Sequence, residues 1–224
     1  DMLDTIGTEA RRIEATLDVY RRLGDMAPQA ERTDLAALAR RALRNVPAGE
    51  ALAIDIDEVT NPLPSRLRGR IKVYPSALTT QTFPLDAAGR HRWWPIAPCS
   101  RVQVDLRQPD LRWLGEGYFD INHGDAPLEH DFAGWEWSRA STRDGTVVFY
   151  DTAPRDGAGT HLALRFDRRG EAENVESLPQ APLPRTGWRI ARNAHGDSLR
   201  AIKVTRTLED TPFYARSQLS AKLF

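Results

Sequence analysis

The sequence predicts a mainly β protein, an antiparallel barrel or sandwich over about residues 50–217 that follows a pair of amphipathic helices. Two observations carry this. The hydrophobic period changes from about 3.6 to 2 at Pro47, and beyond it short alternating runs are separated by turn residues. In the first part, Ile13, Leu17 and Tyr20 recur at helical spacing, and Leu35, Leu38, Ala42 and Val46 do the same after a candidate N-cap at Thr33 or Asp34. Ala27-Pro28 breaks the two runs, so an αα-hairpin over residues 1–48 is expected.

After Pro47 the runs LAIDID (52–57), GRIKVY (69–74), RVQVDL (101–106), TVVFYD (146–151), HLALRF (161–166), GWRIAR (187–192) and LRAIKVTRTL (199–208) read as half-buried strands. Asp144-Gly145 and Arg169-Gly170 stand where hairpin turns belong. Roughly ten strands with such punctuation suit a barrel or sandwich. Pro179, Pro182 and Pro184 mark a connection instead of a strand interior.

Composition narrows the function. With 224 residues the chain can bury a full core, and a domain of about 150–200 residues is natural. Its 31 basic and 31 acidic residues cancel, which argues against a nucleic-acid partner. Mean hydropathy is −0.51, and no run approaches the roughly 20 apolar residues of a spanning helix. No signal peptide is visible. Cys99 is the single cysteine, so no intrachain disulfide is expected and a reducing compartment is. The chain starts at Asp1, not Met, so an upstream piece is expected to be missing.

The segment 115–140, GEGYFDINHGDAPLEHDFAGWEWSRA, mixes Tyr118, Phe119, Phe132, Trp135 and Trp137 with Asp120, Asp125, Glu129 and Asp131. Acids beside large aromatic faces suit chemistry in which a proton donor meets an electron-rich or cationic apolar substrate. Each residue alone also fits a surface turn with core tryptophans; together they point to a site. The stretch Asp120-Ile-Asn122-His-Gly124-Asp125 fails as a calcium loop, because Asp125 and Asp131 hold the sixth and twelfth positions. The histidines 91, 123, 130, 161 and 195 never form an i, i+4 pair around an acid, so no catalytic zinc site, and no metal, is expected. There is no G-x-S-x-G, P-loop or dinucleotide fingerprint.

A second cluster is Gly89-Arg-His91-Arg-Trp93-Trp94-Pro95. His91 and Trp93, like Tyr118 and Asp120, are two apart and share a face on extended chain. If the two strands are neighbours, one face carries an imidazole, an indole, a phenol and a carboxyl group. A Trp/Tyr core with two satisfied polar residues is the alternative.

These residues resemble the carotenoid 1,2-hydratase family, the hydroxyneurosporene synthases. The shared pattern is Gly117-Tyr118-x-Asp120-x-Asn122-x-Gly124-x-x-Pro127-Leu128-Glu129, then Trp135-x-Trp137-Ser138-Arg139-Ala140. It is joined by Pro62-Leu63-Pro64-Ser65-Arg66 with Gly69, by Phe83-x-Leu85-Asp86-x-x-Gly89-x-His91-x-Trp93, and by the tail from Arg206 to Ser217. The similarity runs from about Leu52 to Ser217. It implies a lipocalin-like β domain over 49–224, and water addition to the C1–C2 double bond of acyclic carotenes such as neurosporene or lycopene. It also implies no cofactor, and a place in the carotenoid pathways of phototrophic bacteria. Residues 1–48 do not match the further β-rich region that the family carries upstream.

An isolated trisubstituted alkene is a very weak base, so its hydration needs a neutral acid held in a dry place. Asp120 is the candidate donor. Trp93 and Tyr118 would face the tertiary cation, and His91 would position the water and take its proton. The resemblance places the family's catalytic set on these same four positions. Trp135, Trp137, Phe119 and Trp94 are expected to bind substrate; Asp125, Glu129 and Asp131 are read as loop-fixing or solvated. The lipid-soluble substrate implies peripheral membrane contact on the cytoplasmic side; oligomeric state is left open. A non-catalytic lipocalin-like binder and a terpenoid cyclase on the same scaffold are the rival readings.

Overall fold

The computed structural model of the chain describes residues 51–59, 64–197, 202–221 and 223. The helical pair expected over 1–48 lies outside them. The described part is almost wholly β. Its strands are β1 (Leu52–Val59), β2 (Arg66–Pro75), β3 (Phe83–Pro84), β4 (His91–Gln108), β5 (Asp110–Gly124), β6 (Phe132–Thr142), β7 (Gly145–Pro154), β8 (His161–Asp167), β9 (Ala172–Asn174), β10 (Gln180–Pro182), β11 (Asn193–His195), β12 (Lys203–Asp210) and β13 (Ala215–Ser220). One helical turn, α1 (Leu128–Asp131), stands between β5 and β6.

The strands form four sheets: β1-β2-β4-β3 with β5 also paired to β4, then β6-β7-β8-β9, and the two-stranded β10-β11 and β12-β13. Those pairs with an assigned register, from β1–β2 to β12–β13, are antiparallel. No sheet closes on itself among the described residues, so the barrel expected from the sequence is not seen as a closed ring. The chain divides into two compact units. Among the described residues, one comprises those up to Phe83 with Arg92–His123 and Phe166–Glu171; the other comprises Pro84–His91, Gly124–Arg165 and those from Ala172 on.

In the first unit the alternation of LAIDIDEV does what it predicts. Leu52, Ile54 and Ile56 pack on a buried cluster of Ile71, Val73, Val102, Val104, Leu106 and Trp113. The intervening Asp55 and Asp57 point outward and pair with Arg70 and Arg66. Such exposed pairs serve register more than stability, since a one-residue slip would turn every isoleucine to solvent. In the second unit, Val147, Val148, Phe149 and Tyr150 on β7 are all at most 3% exposed. That unbroken apolar run belongs to a strand covered on both faces.

Two expectations are corrected. GWRIAR (187–192) is not a strand but a turn followed by irregular chain. Thr186 holds it, accepting the Arg189 N–H on its carbonyl at 2.9 Å and the Ile190 N–H on its hydroxyl at 3.2 Å. A threonine side chain that bonds the local backbone offers an alternative to a ladder, and Trp188 is left 61% exposed. The β6–β7 turn is Arg143–Asp144, because Thr142 pairs with Gly145.

Gly117 on β5 is buried, and a Cβ there would run into the Val102 side chain in the core. Gly134 on β6 has open space at the same point. Gly117→Ala is therefore expected to destabilise the protein by about 1–3 kcal/mol through overpacking. Gly134→Ala should be neutral or stabilise by up to about 1 kcal/mol, because it narrows the unfolded ensemble. Urea unfolding midpoints check both; equal effects would refute the account.

Candidate active site

In the first unit, β4 and β5 lie side by side and bring Trp93, Tyr118 and Asp120 together. The Trp93 indole N–H donates to Asp120 Oδ2 at 2.6 Å, and the Tyr118 hydroxyl donates to the same oxygen at 3.1 Å. Exposures are 0% for Trp93, 5% for Tyr118 and 8% for Asp120. Phe83 and Phe166 flank the Trp93 ring at centroid distances of 5.5 and 6.1 Å. The carboxyl group thus sits against an aromatic wall with two donors on one oxygen. Burial of an acid without such partners would be prohibitively costly. The strand from Asp110 to Gly124 also disposes of the calcium-loop pattern, since its residues are extended.

Alternation sends the neighbours the other way. Trp94 and Phe119 join a separate cluster with Ile96, Ala97 and Ile121, and the Trp94 indole donates to the Thr79 carbonyl at 2.8 Å. They are not brought to the Asp120 carboxyl group.

The second unit holds His91, 1% exposed, at the start of β4. A tight turn over 85–91 is built on Asp86, whose carboxylate accepts the backbone N–H groups of His91 at 2.8 Å and Arg90 at 3.1 Å. Burial opposes the ionised form of Asp86, but these N–H bonds outweigh it and its pKa falls below the usual value. His91 Nε2 lies 2.7 Å from Asp131 Oδ2, and the Phe132 ring meets the imidazole edge-on at 5.1 Å. Gly124 has to be glycine: a Cβ would collide with His91 Nδ1 and the Arg90 carbonyl.

Asp131, delivered by α1, departs from the loop-fixing part read from the sequence. The hydrogen bonds from His91 and then His130, helped by the Arg90 charge and opposed by burial, lower its pKa to about 2. An ionised Asp131 can only accept, so His91 Nε2 carries the hydrogen. In the neutral ring the lone pair is then on Nδ1, which is buried and has no hydrogen-bond partner among the described residues. An imidazole oriented in this way is a base. No sequence signal marked the pair, because its members stand 40 positions apart. Asp125 and Glu129 are exposed, as expected of solvated loop acids. Trp135 and Trp137, on β6 of the same unit, are 39% and 38% exposed and are not core residues.

Residues 27–224 match the family described as carotenoid hydratase CrtC. The acyclic carotenoid 1,2-hydratase of Thiocapsa roseopersicina is 50% identical over 197 residues, which cover 82% of this chain and 49% of that protein. That of Rubrivivax gelatinosus is 46% identical over 176 residues, 78% of this chain and 43% of the relative. That of Cereibacter sphaeroides is 36% identical over 177 residues, 79% of this chain and 63% of the relative. The chain spans about half the length of the first two relatives. No solved structure matches it. With a match that begins at residue 27 and runs to the last residue, the chain belongs to the carotenoid hydratase CrtC family.

Proposed function

We propose that the protein is an acyclic carotenoid 1,2-hydratase, which protonates the C1–C2 double bond of a carotene such as neurosporene or lycopene and adds water to give a tertiary alcohol. The observation that carries this reading is the buried Asp120 carboxyl group with Trp93 and Tyr118 on one oxygen. Relatives that bear the activity as their name support it. A lipocalin-like architecture and a source among phototrophic bacteria belong to the same proposal.

In the acid form of Asp120 the carboxyl proton is the one available to the alkene, and two donors already meet Oδ2. Transfer of that proton to C2 leaves a carboxylate and a C1 cation. The Trp93 and Tyr118 donors are in place for the charge that develops on Oδ2, without reorganisation at the moment of reaction. The rings of Trp93, Tyr118, Phe83 and Phe166 give the carbocation an apolar setting, with cation–π attraction of about 2 kcal/mol when desolvated. Trp135, Trp137, Phe119 and Trp94 are proposed to contact the polyene elsewhere along its length. His91 is assigned the water: its Nδ1 lone pair, set by Asp131, takes the proton from the incoming oxygen. The acid step and the water step then use separate groups, and no cofactor is called for.

Incubation of the protein with lycopene or neurosporene, with products resolved by mass, tests the reading. A gain of one water supports it. An isomer of unchanged mass would indicate the cyclase reading, and binding without turnover the lipocalin-like binder. Asp120→Asn is expected to abolish hydration, at the severe end of the roughly 10²–10⁴-fold that loss of acid–base help costs. Trp93→Phe and Tyr118→Phe keep a ring and should be milder; His91→Ala should slow water capture. A folded Asp120→Asn variant that still makes the alcohol at near-parental rate refutes the mechanism.

The lowered Asp131 pKa has a sign that can be checked. Because it lies at about 2, below the ordinary 3.8, its ionised pairing stabilises the fold above about pH 4. That contribution fades as pH falls toward 2. Asp131→Asn should lower the urea midpoint at pH 6 and lose this acid-limb decline, so the two proteins converge near pH 2. Parallel curves at all pH values would contradict the pairing.

Peripheral attachment to the cytoplasmic face of a membrane is part of the proposal, since the substrate partitions into lipid. No helix among the described residues is long and apolar enough to cross a bilayer. Release from membranes by salt or mild detergent is the expected result. Extraction only by bilayer-dissolving detergent would count against it.

A further inference from the structure

Three strands of the second unit converge on a cluster that takes no part in the proposed hydration. β7, β8 and β11 supply Asp151, His161 and His195, one ligand atom from each lying within 4.8 Å of the others. Asp151 Oδ2 is 2.8 Å from His195 Nε2, and Asp151 Oδ1 meets His161 Nδ1 in a short contact. The second nitrogen of each ring is also engaged. His195 Nδ1 lies 2.8 Å from the Leu178 carbonyl, and His161 Nε2 lies 2.7 Å from Ser177 Oγ.

His195 decides how the cluster is read. Its side chain is 6% exposed and stacks on Phe149 at 4.7 Å. A carbonyl oxygen can only accept, so Nδ1 must carry a hydrogen. In the neutral ring Nε2 is then a lone pair aimed at a carboxylate oxygen, two acceptors face to face. A proton or a metal ion between them removes the conflict, and the second imidazole, His161, on the other oxygen of the same carboxylate points to the metal. A divalent metal would take the Nε2 lone pair, Asp151 and His161 Nδ1 together. The outer bonds to Leu178 and Ser177 then become the supports that metal-bound imidazoles ordinarily have on their second nitrogen.

We propose that Asp151, His161 and His195 bind a divalent transition-metal ion of the zinc class. Two imidazoles and a carboxylate are a donor set suited to zinc, and leave a fourth tetrahedral position for water. Bonds of about 2.0–2.1 Å at tetrahedral angles set ligand atoms about 3.3 Å apart, so the two histidine–aspartate contacts have to spread to that spacing within a group that already lies inside 4.8 Å. The exposed His161, with 37% of its side chain accessible, has the freedom to supply it. The ion would fasten β11 and the chain at Leu178 to β7 and β8. The β10–β11 pairing comprises only three residues on each strand, too few for stability of its own.

The test is a titration of the tag-free full chain, stripped by chelator, with Zn²⁺ by calorimetry and with Co²⁺ by visible absorption. One equivalent should bind, with the intense cobalt bands of a low-symmetry four-coordinate site, and should raise the unfolding temperature. His161→Ala and Asp151→Asn should weaken binding beyond the roughly 10–100-fold that loss of an outer support costs, and Ser177→Ala should fall within that range. His161 is exposed, so its replacement should not compromise folding, and His161→Gln gives a second reading of the same ligand. Absence of stoichiometric binding by the parent, or binding undiminished in His161→Ala and Asp151→Asn, overturns the proposal. Neither result bears on the hydration reading, which rests on other residues.

Discussion

Burial of the Asp120 carboxyl group is the constraint on which the first unit turns. An acid 8% exposed among aromatic rings needs hydrogen-bond partners, and few side chains can supply them without bringing in another charge. Indole and phenol can. Each carries one donor on a large apolar body, so Trp93 and Tyr118 satisfy the oxygen while keeping its surroundings dry. The pairing of β4 with β5 is what puts donor and acceptor in reach, and the close approach at Gly117 and Val102 keeps the same two strands together further along.

The second unit solves a different problem. Its buried histidines face acids, and there the acids determine which ring nitrogen is available. Around His91, the ionised Asp131 claims Nε2 and leaves Nδ1 as the basic atom, while Asp86 holds the backbone of the same residue. Around His195, by contrast, a carbonyl claims Nδ1 and a carboxylate faces Nε2. One ring is left with an open lone pair, the other with a lone pair turned on a carboxylate oxygen. On the proposed readings the same residue type serves proton acceptance in one place and cation binding in the other. Partners on the far side of each ring make the difference.

The proposed chemistry asks for opposite properties at different moments. A weakly basic alkene needs a neutral acid, and a carbocation needs electron-rich faces and a nearby anion. Water has to arrive only after both have formed. Aromatic residues with polar tips answer the first two demands at once, because the same ring that lines an apolar pocket also attracts a cation and donates a hydrogen bond. In the proposed step Asp120 changes from acid to carboxylate as the cation is created, so the charge pair would form where the donors already point.

Alternation and composition alone determine much here. The β class, six of the seven expected strands, and the pairing of Trp93, Tyr118 and Asp120 across neighbouring strands follow from a period of two, which is a local property of extended chain. The family was legible for a similar reason: its motifs are short local runs, at β2 to β6 and at β12 to β13. Tertiary structure decided what local pattern does not encode. Trp188 alternates like a strand residue, yet Thr186 closes a turn around it and leaves it exposed. Asp131 reads as one more loop acid until folding sets it 2.7 Å from a histidine 40 positions away. Asp151 and His195 stand 44 positions apart, and no spacing rule for metal ligands reaches so far. Such contacts arise from strand order and sheet pairing, in which distance along the chain says little about distance in space.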